Sequence, residues 1–480
     1  MKFNFLDSII KFVPSIKKPD RPLSLKEKLK WTGLIMTIYF VLFNTPIFGV
    51  NEAQIQNSVL QLISIISASN IGSLMTVGII PIVLSSLVLQ LLQGAEIIKI
   101  DLTDPEQKGK FQSIQKLVAA SIAVVESIVY AYVGYVPIIS GFFVLVVLQM
   151  SLGAVIVIFL DETMVKYGVT SGINLFIAGG VAYSIINGTV RILIPGAATA
   201  LSNGGGIPGA VLAIAPLFFT AVVLVISIYI YDIKVELPLA FSQFRGIGGR
   251  LPIPFLYTSV IPVIFATTLL LSFTVWFRFL AGVTGGLASL AHFIAYYQNI
   301  NGVPTISGGL VYLISPSFRF SPLPPPVGGG YYAYINNLIS GTSPLYLPFG
   351  GMVLVPELVH IVIYLVVFVL LCILFGKFWV EMTGQSPKNY ASQLNEVGMQ
   401  IPGFRRDPRI IENILNKYIP SITVLGSASV ALLAALANLT GALGSGIGVL
   451  LTVGIMYMLY QQLEQDNLTQ SIPVLDKLLS

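Results

Sequence analysis

Apolar runs of about twenty residues, separated by short polar or charged stretches, recur along the whole chain. A bilayer core about 30 Å thick is crossed by roughly 20 apolar residues in helix. The pattern therefore predicts an all-α polytopic membrane protein with ten spans, at about 31–50, 71–93, 112–136, 138–160, 171–193, 210–230, 254–277, 353–375, 419–439 and 446–460. The stretch 51–94 breaks the rhythm: it is too long for one crossing and too short for two with a loop. Small polar residues that weaken a helix interrupt it at Ser67-Ala68-Ser69-Asn70-Ile71-Gly72. This predicts a short helix over about 55–68 that enters the membrane without crossing it, then a full span from Ile71. Non-helical backbone at membrane depth is tolerated only within protein or beside a water-filled cavity. The break thus predicts a cavity, with the short helix inside it.

The connections carry their own signals. Ser24 followed by Glu27 reads as a helix N-cap with its reciprocal glutamate, opening the first span. The uncharged loop 194–209 reads as a connector, and the loops 231–251 and 376–417 are basic. Segment 278–350 holds only two charged residues, Arg278 and Arg319, and its run SPLPPPVGGGYY cannot be a membrane helix. Residues 281–298 are apolar enough to lie against the membrane or re-enter it.

Composition agrees: of 480 residues, 55% are hydrophobic and 10% charged, far from the roughly 25% charge of a soluble domain. A β-barrel would need alternating ten-residue segments, which are missing. Lysine and arginine set the orientation. With the N-terminus in the cytosol, 23 of the 26 fall on the cytosolic side, leaving Arg191, Arg278 and Arg319 on or near the other. Both termini are expected in the cytosol, as an arm over 1–30 and a tail over 461–480. Cys372, the only cysteine, lies in an apolar span and reads as a small buried hydrophobe; it excludes an intrachain disulfide. Glu126, Glu357 and His360 lie in or near spans, where ionisable groups are costly; they read here as structural. Asn187-Gly188-Thr189 fits a glycosylation acceptor pattern. No phosphate-binding glycine loop and no His-Glu-x-x-His site is present, and no cofactor or metal is implied.

A weak internal repeat is visible. Ile80-Pro81-Ile82-Val83 opens the body of the second span and Ile261-Pro262-Val263-Ile264 that of the seventh, each followed by a Ser/Thr pair, Ser85-Ser86 and Thr267-Thr268. Five spans separate the copies, so they would run in opposite directions, as in inverted-topology halves.

Several of these residues together resemble a known family. Lys26 to Gly33, the Ile-Pro segment of the second span, Lys166-Tyr167-Gly168 with Ser171-Gly172-Ile173, and Asn438 with Gly441 to Gly444 and Gly448 to Val453 are similar to SecY, the large subunit of the protein-conducting channel, in its archaeal form. The resemblance covers nearly the whole chain, with the loop 281–350 longer and richer in Pro, Gly and Tyr than the family pattern. It implies two inverted halves of five spans, 31–200 and 201–460, around an hourglass pore. It puts an apolar pore ring on Ile79, Val83, Val169, Ile173, Ile264 and Leu451. It puts a plug on the short helix, at Ile55, Leu60, Ile63, Ile66 and Asn70. The lateral gate, through which signal and transmembrane segments leave for lipid, falls between the second and seventh spans, at Leu74, Leu87, Leu91, Tyr257, Thr267 and Leu271. Implied partners are small SecE-type and SecG/Sec-beta-type subunits, signal peptides, nascent chains, the ribosome and the bilayer. The implied location is the cell membrane.

A channel for unfolded polypeptides cannot bind its cargo through specific polar contacts. A constriction of Ile, Val and Leu can stop ions by dewetting and deform around a passing chain, because apolar contact is non-directional. Arg245, Arg250, Arg405 and Arg406 in the basic loops fit either the positive-inside rule alone or docking to ribosomal RNA phosphates. The alternative to a channel is a secondary transporter, which also uses inverted repeats and broken helices but needs polar groups converging at midplane. An intramembrane enzyme would need a catalytic set within the spans, and none is found.

Overall fold

The computed structural model describes residues 14–21, 23–51, 68–94, 105–202, 206–241, 248–258, 260–282, 287–300, 303–315, 330–348, 351–383, 385–396, 399–400 and 408–471. In chain order the first helices are α1 (Leu25–Asn44), α2 (Ile80–Gly94), α3 (Pro105–Tyr132), α4 (Phe143–Tyr167), α5 (Gly172–Gly188), α6 (Ile194–Ser202) and α7 (Gly206–Asp232). A hairpin of β1 (Lys234–Phe241) and β2 (Gly248–Pro254) leads to α8 (Ile261–Trp276). Then come α9 (Ala288–Ile294), β3 (Tyr296–Ile300), β4 (Val303–Gly308), α10 (Leu310–Ile314), α11 (Gly330–Ser340), β5 (Thr342–Tyr346) and β6 (Met352–Pro356). The chain finishes with α12 (Glu357–Met382), α13 (Pro387–Glu396), β7 (Met399–Gln400), α14 (Pro408–Leu439) and α15 (Gly446–Ser471).

Seven described helices are long and apolar enough to cross a membrane, and two shorter apolar ones cover Ile80–Gln93 and Gly446–Gln461. With α1 they supply the ten expected spans. Several boundaries differ from expectation. The first helix ends at Asn44 rather than near Val50, because Pro46 cannot continue it. The second begins at Ile80 rather than Ile71. Gly72 and Gly78 take positive φ, and the backbone between them bonds elsewhere: Leu74 N–H donates to Thr45 O and Ile47 N–H to Gly72 O. The 194–209 connector is largely helical, since α5 runs through a π-turn at Thr189–Leu193 into α6. Both basic loops are also structured. β1 and β2 pair with Lys234 opposite Pro254, and β7 joins through Ala240 opposite Gln400, giving the order β2-β1-β7. Residues 281–298, read as lying against the membrane or re-entering it, contain the short α9 and the start of β3.

Local rules govern the start of α1. Glu27 N–H donates to Ser24 Oγ at 3.4 Å, and Ser24 N–H donates to Glu27 Oε2 at 3.0 Å. The Ser24 backbone N–H, then its hydroxyl, hold the Glu27 carboxyl below its ordinary value. Ahead of it the arm is fastened to the end of α4. Ile16 N–H donates to Glu162 Oε1, Lys166 Nζ bonds Ile16 O, and the Tyr167 hydroxyl donates to Lys17 O. Lys116 of α3 reaches the same Glu162 oxygen at 2.7 Å.

The spans are apolar all round, so burial separates two kinds of face. Val144, Leu145, Leu148, Leu152 and Ile156 of α4 are exposed, a stripe at helical spacing suited to lipid. The opposite faces of the helices enclose one large apolar cluster, to which α1, α2, α4, α5, α8, α12, α14 and α15 contribute.

Candidate functional site: the buried centre between the two Ile-Pro helices

Four of the six expected ring residues come from three separate spans and share that central cluster. They are Ile79 at the foot of α2, Val83 of α2, Ile264 of α8 and Leu451 of α15, all buried. Ile173 of α5 is partly buried and packs against it. Val169 is not among its members. It precedes α5 in a turn, and its N–H donates to Thr32 Oγ1, close to the start of α1. Local chemistry aims these helices. Pro262 sits in the first turn of α8, where its missing N–H costs nothing. Asn438 Oδ1 accepts from Gly446 N–H at 2.8 Å and Ser445 Oγ from Gly448 N–H at 3.0 Å, capping α15 below Leu451.

The candidate gate helices α2 and α8 are in contact. Ser85 Oγ donates to Ile82 O and Thr267 Oγ1 to Val263 O, so these hydroxyls are satisfied within their own helices. Leu87 belongs to the central cluster, whereas Leu271 and Leu74 lie in or against a neighbouring one with α3 and α4. Leu91 is exposed at 37%. Leu87, Gln90 and Leu91 face Phe265, Phe375 and Phe378 across a shallow pocket of about 10 Å³. Tyr257 stands outside this seam. It precedes α8, packs against the cluster of α13, α14 and β2, and donates its hydroxyl to Gln385 O.

Of the candidate plug residues, Ile55, Leu60, Ile63 and Ile66 lie outside the described residues. Asn70 is described, and its side-chain amide donates to Phe43 O at 3.1 Å. Arg245, Arg405 and Arg406 also lie outside the described residues; Arg250 is on β2, opposite Pro238, with its side chain undescribed. Among the described residues no group of His, Cys, Asp and Glu is placed to hold a metal ion.

Sequence reasoning missed the fastening below the plug segment. The Tyr39 hydroxyl donates to Ala68 O at 2.6 Å and to Phe176 O at 3.4 Å, and its ring stacks on Phe176. Ala68 is fully buried, with φ +47°, and lies against Gly180. One tyrosine in an apolar span was the only available signal. Tyr39→Phe removes a partner from a buried carbonyl and is expected to cost about 1–3 kcal/mol. The check is a lower thermal midpoint of the purified protein in detergent; an unchanged midpoint would assign this contact no weight.

A model of the SecY family matches residues 73–460. The protein translocase subunit SecY of Methanocaldococcus jannaschii is 35% identical over 475 residues, 98% of this chain and 98% of that one. A solved SecY structure, described as having a plug domain that stabilises the closed state of the translocation channel and maintains a membrane seal, superposes with TM-score 0.75 at 33% identity, covering 97% of each chain. Sec61 in a canine ribosome–channel complex from the endoplasmic reticulum superposes equally well, with TM-score 0.75 at 34% identity and 97% of each chain covered. The fold is that of a multi-pass membrane protein that forms a protein-translocation channel and is not a catalytic enzyme. Within that class the chain belongs to the SecY family.

Proposed function

We propose that Ile79, Val83, Ile173, Ile264 and Leu451 form the seal through which unfolded secretory polypeptides pass, with Val169 at the mouth next to Thr32. The observation that carries this reading is the shared burial of aliphatic residues from α2, α8 and α15 in one cluster. Such a collar excludes water when empty. Residues 55–70 act as the plug beneath it. The seam between α2 and α8 is the lateral gate: a signal peptide's apolar stretch replaces helix–helix contact there, which supplies the differential affinity that opens it. The halves 31–200 and 201–460 are the two jaws. Both termini face the cytosol, in the cell membrane, and SecE-type and SecG/Sec-beta-type subunits complete the complex. Arg245, Arg250, Arg405 and Arg406 dock ribosomal RNA phosphates. The relative solved within a ribosome complex supports this last assignment.

The test is site-specific crosslinking to a stalled nascent chain. Cys372 is buried, so added thiols report cleanly. Cysteine at Val83 or Ile264 is expected to crosslink the translocating chain, and cysteine at Leu370, on the exposed face of α12, is not. Crosslinks at Leu370 but not at Val83 or Ile264 would overturn the assignment. Uptake of a small solute without crosslinks would favour a transporter.

A further inference from the structure

Between Phe279 and Pro356 the chain carries a single Asp, Glu, Lys or Arg, namely Arg319. A water-exposed segment of that length would hold about a quarter charged residues. The described parts are also apolar where they are uncovered. Met352, Val353 and Leu354 are consecutive on β6 and all exposed, so both faces of the strand are bare over these three residues, and Leu347 beside them is exposed too; Val355, next along, packs against the cluster around Tyr312. Among the described residues β6 pairs with β5 alone, in a two-stranded sheet. β5 is held to its neighbours, with Gly309 N–H donating to Pro344 O and Leu345 packed against the cluster around Tyr312, but the free edge of β6 is uncharged, and such an edge invites aggregation in water.

The position of the hairpin resolves the conflict. β6 runs directly into α12 at Glu357. The exposed residues of α12 at that end, Leu358, Val359 and Val362, and further along Val366 and Leu370, continue the bare surface of β6 as a lipid-facing stripe. From Glu357 to Lys377, α12 rises about 30 Å, the thickness of the hydrocarbon core. The hairpin therefore begins where the core ends. In that layer its side chains meet acyl chains while its open backbone edge meets headgroups and water. We propose that the β5–β6 hairpin is a membrane-surface anchor, seated in the leaflet at the N-terminal end of α12 with Leu347, Met352, Val353 and Leu354 against lipid. Under the topology proposed above, that is the external leaflet.

The test uses the purified full channel complex in phospholipid vesicles, with a spin label on Leu354→Cys, and separately on Met352→Cys. Oxygen, which concentrates in lipid, is expected to relax both labels more than a water-soluble nickel chelate does, at a depth close to the phosphates. Leu370→Cys is the lipid control and Asn389→Cys, on the exposed surface of α13, the water control. Nickel-dominated relaxation would show a hairpin standing in water and overturn the proposal. Poor access to both reagents would mean that a second copy or a partner subunit covers the strand, and would overturn it as well. Depth is independent of sidedness. A lipid-level signal reached by chelate from the wrong face would overturn only the topology.

Discussion

Gly153→Leu is expected to be among the most damaging single substitutions in the chain. Gly153 lies on α4 directly against the carbonyl of Leu74, and a Cβ there would fall inside the contact radius of that oxygen. The obstacle is backbone, which cannot rotate away as a side chain can. That backbone is also the irregular stretch held by Thr45 and Ile47 that delivers the chain to Ile79. Overpacking ordinarily costs about 1–3 kcal/mol; here, with backbone on both sides, a cost of about 3 kcal/mol or more is expected. Two readouts follow: a fall in the thermal midpoint in detergent, and raised ion leakage across vesicles holding the resting channel, because Ile79 and Val83 lose their footing. A tight, stable variant would show that residues 73–79 do not position the seal.

The second large effect is expected at the start of α12. Glu357 is buried. Its Oε1 accepts from the Tyr312 hydroxyl at 2.9 Å, and its Oε2 is 2.9 Å from His360 Nδ1. His360 Nε2 lies 3.3 Å from Ser315 O, and the Glu357 N–H donates to Gly341 O. This network joins α12 to α10 and to the end of α11. Glu357→Leu removes the carboxylate partner of two buried polar side chains, and losing a buried partner costs about 1–3 kcal/mol each, so a loss of about 2–5 kcal/mol is expected. Glu357→Gln keeps one acceptor and should cost less. Protease cleavage near 310–315 should rise in the leucine variant before the spans unfold. If cleavage there matches that of the native protein while global stability falls, the network does not hold the segment.

What was legible in the sequence was local. The Ser24–Glu27 cap and the apolar runs need only neighbours a few residues away, and they are where the pattern put them, although the first helix stops at Asn44, before Pro46, instead of near Val50. The start of α2 was misplaced because Ile71 to Ile79 is as apolar as the helix that follows. Only hydrogen bonds to residues 45 and 47, and the positive φ of Gly72 and Gly78, hold it out of helix. The three-stranded sheet joins residues 234–254 to 399–400, a pairing that no periodicity announces. The ring candidates came from a resemblance, since nothing in the pattern distinguishes Val83 from Val88 on the same helix. The resemblance put Tyr257 at the gate; it stands before the start of α8, and its hydroxyl donates to Gln385 O in the loop after α12. The Glu357–Tyr312 contact spans 45 residues; its only local sign was a glutamate three positions before a histidine at a helix start.

The clasp that holds the arm has a consequence for biogenesis. Among the described residues, the groups that receive Ile16 and Lys17 lie at 162–167, about 150 residues later in the chain. A chain made from its N-terminus inserts α1 long before that receptor exists. The first crossing therefore chooses its direction with a loose leader, and the leader is locked down only after the fourth crossing has been synthesised.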